Sequence, residues 1–221
     1  MVNDTVLISQ SYSSNYIYSN VYIDMQRLVF PRHSAYCAAW NIDYWNIQGG
    51  HDYGMIGEAG AWAKVGLMLD ALKDYENVIW IDTDAAIMDF NTDIREACKD
   101  IHVGACVHDP AKSDWLKQCN VPRHLNVGVI YARKTDKAKE FLEKWLASYP
   151  GVEKWGEQGS FNNLISEMPG VVTELDDKWN ATVNVNMVDK PVVMGWHGVP
   201  INKRFLIMKD KLHQDWLNYR V

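Results

Sequence analysis

Two aspartates one residue apart, Asp82 and Asp84, follow the apolar run Val78-Ile79-Trp80-Ile81 and precede a second one, Ala85-Ala86-Ile87-Met88. On a strand or its frayed end, residues i and i+2 project to the same side, so both carboxylates reach one space. Like charges that close repel, and a cation is needed to keep both ionised. Oxygen ligands of this kind suit Mg²⁺ or Mn²⁺, which hold open positions for waters and substrate phosphates. Two readings follow. The triplet is a D-x-D site for a divalent ion and a diphosphate, or it is a loop in which Asp82 and Asp84 cap the next segment. The triplet alone leaves both open.

The elements around it must do the positioning. Four apolar residues without polar alternation suit a strand buried on both faces, as in a sheet covered by helices. Before it, Thr5 to Ser9 reads as a strand and Gln10 to Asn15 as a polar loop. Ile17, Val21, Met25 and Leu28 then recur at helical spacing until Pro31. Ala35 to Trp40 predicts a second strand, and Gln48 to Gly54 a glycine-rich loop able to close over a site. Trp62, Val65, Leu69 and Leu72 share one helix face that ends near Tyr75.

Beyond the motif the pattern predicts a short helix over Ile94–Lys99, a strand over His102–Val107, and a loop-rich stretch from Pro110 to His124. A strand over Leu125–Tyr131 follows. Next come a helix burying Ala138, Phe141, Leu142 and Trp145 and, past Pro150-Gly151, a helix over Glu157–Glu167. Late strands over Val171–Leu175 and Val192–Trp196, a turn at Gly195–Gly198 and a helical tail containing Trp216 complete the chain. Strands alternating with helices predict an α/β fold with a mostly parallel central sheet flanked by helices. In such sheets ligands gather at the carboxyl ends of strands, where Asp82 and Asp84 stand.

A chain of 221 residues suits one domain, and a hydrophobic fraction of 48% excludes disorder. The net charge of -6 argues against nucleic acid or an anionic membrane as partner, so local cations or a metal must hold any anionic substrate. Cys37, Cys98, Cys106 and Cys119 form no C-x-x-C pair and read as reduced thiols. Without a charged and apolar leader or a long apolar run, the expectation is no membrane span and a cytoplasmic location, the host cytoplasm if the source is viral. Asn3 and Asn180 begin chance glycosylation sequons. The ten tryptophans and eleven tyrosines are read first as core, with some rings left to stack on sugar faces or bases.

Lys64, Asp82-Thr83-Asp84, Asn126-Val127-Gly128, Glu157-Gln158 and Trp196-His197-Gly198 with Lys203 all lie at element ends. This arrangement resembles retaining, metal-dependent glycosyltransferases of the GT-A fold. The first likeness is to the galactosyl-, xylosyl- and mannosyltransferases of plants and fungi. The second is to the glycogenin and bacterial galactosyltransferase family; a chlorovirus domain that glycosylates capsid protein is a similarly small member of the fold. The likeness spans roughly Trp62 to Lys203. It is strongest from Trp62-Ala63-Lys64 through the D-x-D-A run, and in the spacing of His197 and Lys203.

The resemblance implies a single GT-A domain over residues 1–221, with a nucleotide-binding half to about residue 90 and a sugar- and acceptor-binding half over 91–221. It implies Mn²⁺ (or Mg²⁺) held by Asp82, Asp84 and His197. Lys64, Thr83, Asn126, Gln158 and Lys203 would contact the donor, and Ser9, Gln10 and Tyr12 the uridine. Gln158 would sit near the anomeric carbon, and Glu157 is the nearest ionisable alternative. Many relatives carry threonine where this chain has Val127, so no side-chain contact from that position is carried over. The implied reaction moves a hexose or deoxyhexose from a UDP-sugar to a glycan or protein-linked glycan, with retention.

Two rival enzymes and a binding module fit the residues less well. Haloacid-dehalogenase phosphatases place D-x-D on the first core strand and continue with Thr or Val at the position of Ala86; here a long α/β segment comes first. A nucleotidyltransferase wants a basic, glycine-rich loop, which Gln10 to Asn15 is not. A non-catalytic sugar-binding module has no use for the two aspartates, His197 and Lys203 together.

Overall fold

Burial on both faces, expected of the run before Asp82, holds for the four inner strands of the main sheet and not for its two edge strands. The computed structural model describes residues 3–11, 19–48, 60–150 and 156–218. Strands β1 (Thr5–Ser11), β2 (Asp43–Gln48), β3 (Asn77–Ile81), β5 (Val103–His108), β6 (His124–Arg133) and β7 (Val172–Leu175) form one sheet in the order β2-β1-β3-β6-β5-β7. β6 runs against both neighbours while the other pairings are parallel, so the sheet is mostly parallel as expected. A second sheet joins β4 (Ala85–Ile87), β9 (Val193–Gly195) and β8 (Ala181–Thr182).

Side chains alternate across the main sheet. Val6, Ile8, Val78, Trp80, Ile130 and Ala132 face α2 (Gly60–Ala71), α4 (Asp136–Ala147) and α5 (Gly156–Glu167). Leu7, Ile79, Ile81, Val129 and Tyr131 pack on the other side with the end of α1 (Ser19–Trp40). A third apolar cluster joins α1, the second sheet and α6 (Ile201–Asn218) through Met25, Met194, Trp196, Met208 and Leu212. All four cysteines are free.

Several expectations fail, and Gln10 and Ser11, expected to open a loop, instead complete β1. Pro31 does not end the first helix, and Ala35 to Trp40 is its last turns; the second strand starts at Asp43. An interior proline costs about 3 kcal/mol, but the residues after it are anchored. Arg32 Nε–H donates to Ile87 O at 2.9 Å, and its Nη2 meets Asp215 Oδ2 at 2.7 Å. The Tyr36 hydroxyl donates to Thr92 O and accepts from Ile94 N, each at 2.7 Å. The helix gives way at Asn41, whose φ of 54° is the left-handed conformation of a helix end. The glycine-rich loop and the start of the first helix fall largely outside the described residues. The stretch read as loop-rich after Pro110 contains a short helix, α3 (Asp114–Gln118), capped by Ser113.

Two stability predictions follow. Trp145 is fully buried, lies edge-on to Phe161 at 4.8 Å, and donates from Nε1 to Glu157 O at 2.8 Å. Trp145→Ala is expected to cost about 3–5 kcal/mol in urea unfolding and to loosen the start of α5; a loss under about 1 kcal/mol would contradict this packing. His33 is held neutral, its pKa pushed down to about 3 by burial and then by Arg32. Its Nε2 accepts Ile87 N–H at 3.4 Å, which only an unprotonated nitrogen can do. Burial, helped by His197 and His124, pushes His108 down to about 2. Both rings take up a proton more readily when unfolded, so stability falls as pH drops below about 6.5. At pH 5 the difference amounts to about 2 kcal/mol per ring; equal unfolding midpoints at pH 7.5 and pH 5 would contradict it.

Candidate active site

β3 ends at Ile81, and the chain turns through Asp82-Thr83-Asp84 into β4, with Ala85 N–H on Asp82 O at 3.0 Å. Two neighbours bring the other residues here. Antiparallel pairing sets Val129 of β6 opposite Ile81, and Asp82 N–H donates to Gly128 O at 2.8 Å, so Asn126-Val127-Gly128 lies beside the turn. Pairing of Ala85 with Gly195, and Trp196 N–H on Asp84 O at 2.9 Å, deliver His197 to Asp84. A cavity of about 300 Å³ opens over the turn, lined among others by Gln10, Tyr22, Lys64, Asp82, Thr83, Asp84, Asn126, Glu157, Gln158, His197 and Arg204.

The two aspartates live in different surroundings. Asp82 Oδ1 accepts from Trp80 Nε1 at 2.6 Å and from Lys64 Nζ at 3.1 Å. Lys64 is buried, donates also to Val127 O at 3.1 Å, and lies 3.7 Å from Glu157 Oε1. Burial alone would push its ammonium down, but Asp82 and Glu157 outweigh it and the pKa is raised. Asp84 is buried. Its Oδ1 meets His197 Nδ1 at 3.2 Å and its Oδ2 takes a short bond from Arg204 Nη1. Burial opposes the charge, yet His197, Arg204 and Lys64 hold the carboxyl well below the usual range.

Arg204 also grips the loop below it, with Nη2 donating to Val199 O at 2.8 Å and to His197 O at 3.2 Å. Glycines make room for the imidazole. A Cβ on Gly195 would stand 2.6 Å from His197 Nε2, and one on Gly128 2.6 Å from Cε1. Gln158 Oε1 accepts from Asn126 Nδ2 and Val127 N, both at 3.3 Å. Asn126 Oδ1 accepts from Gly128 N and Asn180 Nδ2 at 2.9 Å. The threonine-to-valine departure at Val127 is thus met by backbone: its N–H and C=O hold Gln158 and Lys64.

Asp84 and His197 fit a divalent ion as a pair. Ligands on neighbouring octahedral positions about 2.1 Å from Mg²⁺ stand about 3 Å apart, close to the 3.2 Å between Asp84 Oδ1 and His197 Nδ1. Asp82 is instead turned to Lys64 and Trp80, and among the described residues no group of three His, Cys, Asp or Glu is arranged around a metal.

Of the residues expected at the site, Gln10, Lys64, Asp82, Thr83, Asp84, Asn126, Glu157, Gln158 and His197 line the cavity. Ser9 is buried within β1 and Lys203 is exposed on α6; neither is in the lining, and Tyr12 lies outside the described residues. The sequence reading missed Arg204 and Tyr22. Arg204 had a signal: it precedes the buried Met208 and Leu212 at four-residue spacing, the inner face of its helix, whereas Lys203 is off that face. Among the described residues no helix is long and apolar enough to cross a membrane.

Comparison with solved structures shows the fold. A glycosyltransferase involved in glycosylating the major capsid of PBCV-1 matches with a TM-score of 0.67 at 16% identity, over 93% of this chain and 98% of that one. The galactosyltransferase LgtC, crystallised with donor and acceptor sugar analogues, gives 0.53 at 13%, over 94% and 95%. Mouse xyloside xylosyltransferase 1 gives 0.51 at 12%, over 90% and 99%. Nothing matches among curated proteins. The profile of one family, nucleotide-diphospho-sugar transferase, matches residues 58–211, from just before Lys64 to beyond Arg204, and so takes in both sides of the cavity. On that match the chain belongs to the nucleotide-diphospho-sugar transferases and is a glycosyltransferase of the GT-A fold.

Proposed function

We propose that this glycosyltransferase moves a hexose or deoxyhexose from a UDP-sugar to a glycan or protein-linked glycan, with a divalent ion and with retention of configuration. The observation that carries the reading is the meeting of Asp84, His197 and Arg204 at one carboxylate, inside a cavity also lined by Lys64 and Gln158. Departure of a nucleoside diphosphate leaves negative charge to be stabilised, and an anion in this cavity would meet two cations held by the fold.

In this reading Asp84 and His197 would hold Mn²⁺ or Mg²⁺, and Asp82, bonded to Lys64 and Trp80 here, would be the third ligand. Bound there, the ion supplies Lewis-acid stabilisation of the leaving diphosphate. Arg204 faces the phosphates as a fixed cation, and Lys64 approaches the donor from α2. Gln158 is expected beside the anomeric carbon; its carbonyl oxygen accepts from Asn126 and Val127 here, and would have to turn from them toward the sugar for its negative end to favour an oxocarbenium-like state. A neutral amide is a poor nucleophile. The acceptor hydroxyl oxygen therefore bonds to the anomeric carbon on the face from which the diphosphate departs. The carbon–oxygen bond to phosphate breaks, and the hydroxyl proton passes to the leaving phosphate oxygen. A double displacement would need a carboxylate such as Glu157, which faces Lys64 instead. The domain division proposed is a nucleotide half to about residue 90 and a sugar and acceptor half beyond it.

The test is a screen of nucleotide sugars with Mn²⁺ for release of UDP, followed by NMR of the product anomer. Turnover of a UDP-sugar with the donor's anomeric configuration kept supports the reading. Turnover of other nucleotides only, or an inverted product, overturns the corresponding part. Stabilisation by free sugar but not by UDP with Mn²⁺ would overturn the metal-dependent donor site.

A further inference from the structure

Trp80 is a core residue with one atom in the active site. The ring is 2% exposed, on an inner strand whose backbone pairs it with Ile8 of β1 on one side and Ile130 of β6 on the other. It also lines the cavity over Asp82-Thr83-Asp84. Asp82, by contrast, keeps 32% of its side chain exposed.

Two donors reach this carboxylate from the core side. The Trp80 indole N–H donates to Oδ1 at 2.6 Å. The Lys64 ammonium meets Oδ1 at 3.1 Å and Oδ2 at 3.5 Å, faces Glu157 at 3.7 Å, and stands 5.6 Å from the centre of the Trp80 ring. They differ in kind. Lys64 is a point charge on a flexible stem, already shared between two carboxylates, and a phosphate entering the cavity would compete for it. The indole is neutral, a donor only, and its ring is clamped in the core. Its bond to Oδ1 can therefore outlast the departure of the ammonium. Being uncharged, it orients the carboxylate without cancelling the charge that a cation would need. With Oδ1 tied toward the core, Oδ2 is the oxygen left for a ligand.

We propose that Trp80 is a positioning residue for Asp82: its indole N–H holds Oδ1 and so offers Oδ2 to a divalent ion, including when donor phosphate has drawn Lys64 away. The proposal rests on the nucleotide-sugar reading and adds to it a residue that touches neither donor nor ion. Hydrogen-bond partners of metal ligands typically change metal affinity by about 10–100-fold.

The experiment replaces Trp80 in the full-length chain by β-(3-benzothienyl)alanine, which carries sulfur in place of the indole N–H and keeps the shape of the ring. Trp80→Phe is made beside it, and the sulfur analogue decides where phenylalanine disturbs the core. Electron paramagnetic resonance reads Mn²⁺ binding in the presence of UDP, and a urea midpoint reads folding. The analogue is expected to weaken Mn²⁺ binding about tenfold or more while the urea midpoint stays close to that of the unsubstituted chain. In an Asp82→Ala background the same replacement is expected to weaken the remaining binding no further, because the acceptor of the bond is gone. Mn²⁺ affinity within about twofold of the unsubstituted chain would overturn the proposal. So would an equal loss in the Asp82→Ala background, which would mark Trp80 as packing alone. An unsubstituted chain that binds no Mn²⁺ with UDP would instead overturn the nucleotide-sugar reading, and the proposal with it.

Discussion

Asp84→Asn is expected to lower turnover of the UDP-sugar by about 10³-fold while the chain still folds. The carboxylate is where three arguments meet: it is the ligand partner of His197, the counter-ion of Arg204, and a buried charge kept ionised by both. The amide keeps the shape and removes the charge, so any divalent ion is held more weakly and Arg204 loses its anchor. Stability is expected to fall by only about 1–3 kcal/mol, because the guanidinium keeps its bonds to the carbonyls of His197 and Val199. Paired measurement of kcat and of the urea midpoint checks this. Activity within about tenfold of the unsubstituted enzyme would remove Asp84 from the chemistry.

The second large effect separates two neighbouring cations. Arg204→Ala is expected to cost about 10²-fold in kcat, since it takes away the positive charge beside Asp84 and releases the loop carrying His197. Lys203→Ala, on the exposed side of the same helix turn, is expected to change kcat by about twofold at most. Comparing the two variants on one substrate decides between the spacing from His197 that points to Lys203 and the helix phase that points to Arg204. The reverse order of effects would restore Lys203 to the diphosphate.

How much of this was legible depends on the kind of signal. The strand before Asp82 could be read because burial on both faces leaves an unbroken apolar run, and the run sits in the middle of the sheet as its composition demands. The likeness of His197-Gly198 to a ligand turn was legible as residues, but not the reason for its glycines: Gly128 and Gly195 come from different strands, and only pairing of β4 with β9 and β3 with β6 brings them to one ring. Pro31 misled because its local cost is real, and the anchors that outweigh it, Ile87, Thr92 and Asp215, lie more than fifty residues away in sequence. The period of α6 sets Arg204 in line with the buried Met208 and Leu212, whereas the spacing from His197 points to Lys203 on its exposed side. The pairing of Asp82 with Lys64 and Trp80 is a matter of tertiary distance alone, which no local pattern encodes.

The most direct test of the account is a crystal structure with UDP and Mn²⁺, with anomalous scattering used to find the metal. The account predicts one manganese peak bonded to Asp84 and His197, the diphosphate against it, and Arg204 within contact of a phosphate oxygen. Nucleotide bound at another face, or manganese away from both Asp84 and His197, would contradict it.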